Sequence, residues 1–291
     1  MVSRIRLFAV AALAALMVSA CAGDDGSDIT ISSFNFPESE ILGEIYAQAL
    51  EAEGYAVSRS LNLGARELIY PELEAGNIDF LAEYLGSALV VGFGQQPPAD
   101  VATGHAALVD AFAAEGVTAL QPAPAENNQA FVVRSDTASA SGWATLADLA
   151  DAGPLTFAGP PECEGRDTCY QGLVDTYGLG NITFEPIQEA AARLAALDAG
   201  DVDMILLFST DAPLASEDYL VLVDDSGMLP PENITPVIRT AAIDTHGDDV
   251  VALLNRVTQA LTTDGLQQMN ARASEGISAA DIAAEWIAAN L

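Results

Sequence analysis

Short β-rich runs alternate with longer stretches of helical spacing along most of the chain. Ile29-Thr30-Ile31 predicts a strand, followed by a turn at Pro37. Between Glu40 and Gly54 the apolar residues Ile41, Leu42, Ile45, Tyr46, Ala49 and Leu50 recur on one face of a helix. Gly54 stops that helix, and Tyr55 to Leu61 alternates as a strand does. Glu67 to Ala75 predicts a second helix closed by Gly76, with Ile78 to Leu81 as the third strand. Strands separated by helices indicate parallel βαβ construction and an α/β fold class.

The pattern then repeats. Leu73-Glu74-Ala75-Gly76-Asn77-Ile78-Asp79 is echoed by Leu197-Asp198-Ala199-Gly200-Asp201-Val202-Asp203. An aromatic lies five residues beyond each final aspartate, Tyr84 in one copy and Phe208 in the other. Leu155-Thr156-Phe157 likewise repeats the role of Ile29-Thr30-Ile31. These echoes predict two similar α/β lobes with a hinge, the first from residues 29–122 plus 236–291 and the second from 126–230. The crossings fall at Gln121 to Asn127 and Met228 to Pro236, and the helical segment Asp244 to Leu291 returns to the first lobe. Ligands of open α/β sheets sit outside the carboxyl ends of the strands, so the loops after Ile31, Leu81, Phe157 and Leu207 should surround one cleft.

The N-terminus changes the picture of location. Arg4 and Arg6 precede an apolar run from Leu7 to Val18, then Val18-Ser19-Ala20-Cys21, which describes a secretory signal over residues 1–20. The apolar run is shorter than the roughly 20 residues a membrane-spanning helix needs. Cys21 directly after small residues resembles the bacterial lipobox, making it the lipid anchor, with residues 21–28 as a soluble tether. An ordinary cleaved signal with an incidental cysteine is the bland alternative. Anchoring on the outer face of the cell membrane follows from the lipobox reading.

Loss of Arg4 and Arg6, with no acid among those 20 residues, would take the formal net charge from −32 to −34. All ten basic residues are arginines. Such acidity argues against nucleic acid as a partner. It serves either solubility in a salty environment or the attraction of cations. Cys163 and Cys169, the other two cysteines, predict a disulfide in an oxidising compartment, with two free thiols as the alternative. Only His105, in a predicted helix, and His246, in a loop between helices, are available as imidazoles, too few for a zinc site. No Gly-x-Ser-x-Gly, Gly-x-x-x-x-Gly-Lys or His-Glu-x-x-His motif occurs. No catalytic residue, metal or cofactor is expected, although a secreted α/β enzyme using distant groups remains a competing reading.

Ordered motifs cover nearly all of residues 28–291: Ser33-Phe34-Asn35-Phe36-Pro37-Glu38-Ser39; Leu61-Asn62-Leu63-Gly64 with Arg66-Glu67; Glu83-Tyr84-Leu85-Gly86-Ser87; Asn127-Asn128; Pro160-Pro161-Glu162-Cys163 with Arg166; Ser209-Thr210-Asp211; and Pro230-Pro231-Glu232-Asn233. In that order they resemble the glycine betaine/choline class of ABC-transporter substrate-binding proteins. The resemblance implies a bilobal, type II-like periplasmic-binding-protein fold, a monomer that hands a quaternary-ammonium compatible solute to an ABC transporter permease. Another small amine or an amino acid is the alternative ligand on the same fold.

The resemblance also implies an aromatic cage, since a trimethylammonium group offers no N–H and is held by π-faces. Carried over, Tyr84 and Phe208 are cage walls, Arg166 the carboxylate partner, Ser87 and Thr210 polar contacts, and Asn35 and Asn128 neighbours of the ligand. The chain departs from the pattern where Phe34 replaces a lysine, Ala130 a cage tyrosine and Glu232 another. Phe34 is therefore a candidate replacement wall, and Glu232, if it faces the cleft, favours a cation such as choline over zwitterionic betaine. Each has a bland alternative: Tyr84 packing under a loop, Phe208 in the core after Met204-Ile205-Leu206-Leu207, and Arg166 in a local salt bridge with Glu162, Glu164 or Asp167. Phe36 is assigned to the core of its lobe, Asp211 to a helix N-cap or hinge contact, and Asp224-Asp225 to a turn.

Overall fold

The computed structural model describes residues 28–291 apart from 97 and 99. The signal segment and the Cys21 anchor lie outside the described residues. β1 (Ile29–Phe34), α1 (Pro37–Ala52), β2 (Val57–Gly64), α2 (Arg66–Ala75) and β3 (Phe80–Tyr84) come first, then α3 (Leu85–Ser87), α4 (Val101–Ala113) and β4 (Val117–Ala119). The middle of the chain forms β5 (Gln129–Arg134), α5 (Ser135–Ser141), β6 (Leu155–Gly159), α6 (Tyr170–Asp175), β7 (Ile182–Pro186), α7 (Ala190–Ala199), β8 (Met204–Phe208) and β9 (Tyr219–Val221). β10 (Ile234–Arg239), α8 (Thr240–His246), α9 (Asp248–Ala260), α10 (Thr263–Ser274) and α11 (Ala279–Asn290) complete it.

Two five-stranded sheets result, ordered β2-β1-β3-β10-β4 and β7-β6-β8-β5-β9. Within each, the first three strands are parallel, as the alternation with helices predicts. The fourth strand, β10 or β5, is antiparallel to its neighbour. The reason is where it enters. Ile234 pairs with Tyr84 and Gln129 with Phe208, so each arriving chain starts at the carboxyl end of β3 or β8 and runs back along it.

The repeated heptad has a physical explanation. Gly76 and Gly200 both close a helix in the left-handed conformation, at φ 78° and 75°, where a side chain would be strained. The aspartates that follow do the same work twice. Asp79 donates its N–H to the Thr30 carbonyl and accepts the Thr30 N–H on Oδ2. Asp203 makes both bonds with Thr156. Each thereby fixes the register of the strand that ends in an aromatic.

Helix α1 starts earlier than its apolar spacing indicates, because Pro37 occupies the first turn, where its missing N–H costs nothing. Leu42, Ile45 and Leu50 of α1 share one core with Val250 and Leu254 of α9 and Ile282 and Trp286 of α11, so the C-terminal helices lie against the first sheet. In the second sheet, Phe131 and Val133 face one cluster and Ala130 and Val132 the other, the alternation a two-faced strand requires. Phe131 is thus a core residue. His105 lies in α4 as expected, whereas His246 is the last residue of α8 rather than a loop residue, its ring edge-on to Tyr55. Asp224 organises its turn by accepting from the Tyr177 hydroxyl and the N–H groups of Met228 and Leu229.

Two segments join the sheets, between β4 and β5 and between β9 and β10, and they run antiparallel side by side. Ala123 N donates to Ile234 O at 2.8 Å, Ile234 N to Ala125 O at 3.0 Å and Asn127 N to Glu232 O at 3.0 Å. This pairing brings Asn127 and Glu232 to the space between the sheets.

Candidate ligand-binding cleft

A cavity of about 700 Å³ opens between the carboxyl ends of the two sheets. The first half contributes Phe36, Pro37 and Glu38 from the start of α1, Arg66 from α2, and Tyr84 and Ser87 from the end of β3 and α3. The second contributes Leu207, Phe208, Thr210 and Asp211 after β8, with Ala190, Ala191 and Leu194 of α7 as an apolar flank. Asn127 and Glu232 enter from the crossings, and Asn270 and its neighbours from α10.

Three aromatic rings face this space. Phe36 and Tyr84 stand with centroids 5.9 Å apart and planes 41° apart. Phe208 comes from the opposite sheet and is 48% exposed, an unusual state for a phenylalanine that ends a run of buried β8 residues. The core alternative for Phe208 is therefore wrong: Leu207 turns inward and Phe208 outward.

Beneath the rings, Glu38 is a nearly buried carboxylate with three donors. Oε1 accepts from the Tyr84 hydroxyl at 2.8 Å and from Asn127 Nδ2 at 2.9 Å, and Oε2 from Asn270 Nδ2 at 2.7 Å. Burial, reinforced by Glu38, raises the Tyr84 phenol well above its ordinary value, so the hydroxyl stays protonated and donates. Asn270 Nδ2 also donates to the Thr210 carbonyl at 2.8 Å, tying the two halves together. Thr210 itself is buried. Asn127 also lines the cavity, and its Oδ1 is buried without a hydrogen-bond partner among the described residues.

Arg66 is held on two sides. Its Nε and Nη2 donate to Glu83 at 3.0 and 2.8 Å, and its guanidinium carbon lies 4.8 Å from the Phe34 ring centroid. Glu83, fully buried, also accepts from the Tyr70 hydroxyl and the Tyr84 N–H. Glu232 accepts from Ser87 N at 3.0 Å and Ser87 Oγ at 2.8 Å. Burial pushes its carboxyl up to about 7, with the Ser87 bonds and Arg66 opposing that rise and Glu83 adding to it. Burial also raises Asp211, whose Oδ2 accepts from the Phe208 N–H.

Of the residues singled out in the sequence, Tyr84, Ser87, Phe208, Thr210 and Glu232 come together here. Four do not. Phe34 is 3% exposed and supports Arg66 and Phe36 from behind, because its β1 position points into the first core. Phe36, assigned to the core, packs against that core and also lines the cavity. Asn35 is exposed outside the cavity. Asn128 is used at the end of the β5–β8 pairing, where its N–H and carbonyl bond Ser209, while Asn127 lines the cavity. Arg166 is exposed in the Cys163–Cys169 disulfide loop, outside the cavity and without an ion pair among the described residues. Glu38, Arg66 and Asn127 stood within recognised motifs, but residue type alone did not reveal their direction. Asn270 had no local signal; only the packing of α10 brings it in.

The family model described as the substrate binding domain of ABC-type glycine betaine transport systems matches residues 27–289. The chain is 28% identical to a glycine-betaine-binding protein of Pseudomonas aeruginosa over 271 residues, covering 87% of this chain and 86% of that protein. It is 25% identical to the glycine betaine-binding protein YehZ of Escherichia coli over 280 residues, 90% of each chain. The solved structure of apo YehZ superposes with a TM-score of 0.79, covering 90% of this chain and 98% of that one. A crystal structure described as a glycine betaine/carnitine/choline ABC transporter shares the fold at a TM-score of 0.83 and 24% identity, over 89% of this chain and 97% of that one. The chain therefore belongs to the family of substrate-binding domains of ABC-type glycine betaine transport systems, a family of extracytoplasmic solute-binding proteins and not of enzymes.

Proposed function

We propose that this protein captures a quaternary-ammonium compatible solute of the glycine betaine/choline class in the cavity between its sheets and delivers it to an ABC permease. The observation that carries this reading is the meeting of Phe36 and Tyr84 from one half with Phe208 from the other at one cavity. Each ring face offers a buried cation about 0.5–2 kcal/mol. The carboxyl groups of Glu38, Asp211 and Glu232 line the same space and add negative potential in their ionised forms, which burial disfavours for Asp211 and Glu232. The halves act as lobes, residues 29–122 with 236–291 against 126–230, that hinge on the paired crossings and close over the solute. Glycine betaine is bound by the similar proteins named above, which supports the ligand class.

The protein works as a monomer, held on the outer face of the membrane through lipidated Cys21. Among the described residues no helix is long and apolar enough to cross a membrane. Replacing Cys21 with serine is expected to release the protein from the membrane fraction; retention there would count against the anchor. The function is tested by calorimetric titration with glycine betaine, choline, carnitine, ectoine and proline, read alongside the shift in melting temperature. Binding of a trimethylammonium compound but not of proline is the expected result, and silence across all five overturns the proposal.

A further inference from the structure

We infer that Glu232, fixed by Ser87, makes this cleft select carboxylate-free quaternary cations over zwitterions. The inference narrows the ligand class and rests on the cavity being the solute site. Glu232 is a built feature. Both of its oxygens are taken by Ser87, one by the N–H and one by the hydroxyl, so the carboxylate is held at a fixed place on the cavity wall. Gly86 makes room for it: a Cβ there would stand 2.9 Å from the Pro231 carbonyl oxygen and 3.1 Å from Glu232 Oε1. The crossing carrying Glu232 is pinned at the same point by the Gly86 N–H, which donates to the Pro231 carbonyl.

The balance of charge around the cavity gives this carboxylate its effect. Glu38, Asp211 and Glu232 line the space from three directions, whereas Arg66 is the only cationic residue among the lining residues. Arg66 is already matched by Glu83 in a two-bond pair. The other nearby cation, Arg193, is buried under the end of β8 and gives Nε and Nη1 to the carbonyls of Leu206, Ile187 and Gln188. A ligand carboxylate entering here finds one cation, Arg66, whose charge Glu83 already offsets, and meets three carboxyl groups. A trimethylammonium head meets instead the three rings and the negative potential of whichever carboxyl groups are ionised. The charged groups that act on Glu232 are Arg66 on α2, which favours its ionised form, and Glu83 on β3, which opposes it. Discrimination should therefore strengthen as pH rises through neutrality and relax as Glu232 takes up a proton.

The test titrates choline, tetramethylammonium and glycine betaine into the full chain and into Glu232→Gln, at about pH 5.5 and about pH 8.5, on either side of the Glu232 transition. In the unmodified protein choline is expected to bind on the order of ten-fold more tightly than glycine betaine at the higher pH. That ratio should shrink at the lower pH. Glu232→Gln should show the smaller ratio at both. Betaine binding as tightly as choline in the unmodified protein at the higher pH overturns the inference, with no variant needed. A ratio unchanged by Glu232→Gln, in a variant whose melting shows it folded, also overturns it. Tetramethylammonium separates the two levels. If it binds and Phe208→Ala weakens it, the ring site stands whatever the ratio; if none of the three binds, the site and the inference fall together.

Discussion

The Tyr84 hydroxyl donates to Glu38 Oε1 at 2.8 Å while the Tyr84 ring faces the cavity, so one side chain both walls the cleft and satisfies the carboxylate beneath it. Tyr84→Phe keeps the wall and removes the donor, leaving Glu38 with Asn127 and Asn270. We expect a loss of about 1–3 kcal/mol in stability, read by denaturant unfolding, with ligand affinity reduced less than in Tyr84→Ala. Equal affinity losses in the two variants would show that the ring contributes nothing.

Phe208 and Phe34 should separate binding from stability. Phe208→Ala removes a half-exposed ring and should weaken binding of a trimethylammonium ligand by about 0.5–2 kcal/mol while changing stability little. Phe34→Ala empties a core position and should cost about 3–5 kcal/mol in unfolding free energy. Calorimetry and denaturation of both variants decide; the opposite pattern would exchange the roles assigned to the two rings.

Stability should depend on the Glu232 proton. Its carboxyl rises from an ordinary value of 4.5 to about 7 in the folded chain, because burial disfavours the charged form. The folded state then binds the proton more tightly than the unfolded chain, so stability is greatest at the low end of that window and falls as pH climbs from about 4.5 to about 7. Above that the effect is constant, with a size of about 3 kcal/mol at most. Unfolding measured across this range should flatten in Glu232→Gln. An unchanged slope would show that Glu232 does not titrate there.

The Cys163–Cys169 bond closes a seven-residue loop beside α6. Replacing both cysteines with serine should cost about 2 kcal/mol from the loop-closure entropy of so short a ring. Because the loop and Arg166 stand outside the cavity, ligand affinity should change little. A large loss of affinity with stability intact would reverse the placement of this loop.

The duplicated heptad was legible because Gly76 and Gly200 need positive φ and Asp79 and Asp203 close the same strand pair, constraints that leave residue types in sequence. The antiparallel entry of β5 and β10 was not legible, since strand direction after a crossing depends on where the chain lands. Tyr84 and Phe208 reach the cavity because they end repeated strands, a position the repeat made legible; the cage role itself came only from the family resemblance. Phe34 and Phe36 were interchanged because a two-residue step at a strand-to-helix junction does not say which ring turns inward. Arg66 and Glu38 lay in recognised motifs, but only the fold shows that one is neutralised by Glu83 and the other gathers three donors. Asn270 arrives from a helix more than 200 residues beyond Glu38, a juxtaposition written only in tertiary packing.

The sharpest test is a crystal structure of the chain with a bound trimethylammonium solute. The quaternary nitrogen should sit within about 6 Å of the Phe36, Tyr84 and Phe208 ring centroids together. Density for that solute anywhere else, or contact with the rings of only one sheet, would contradict the account.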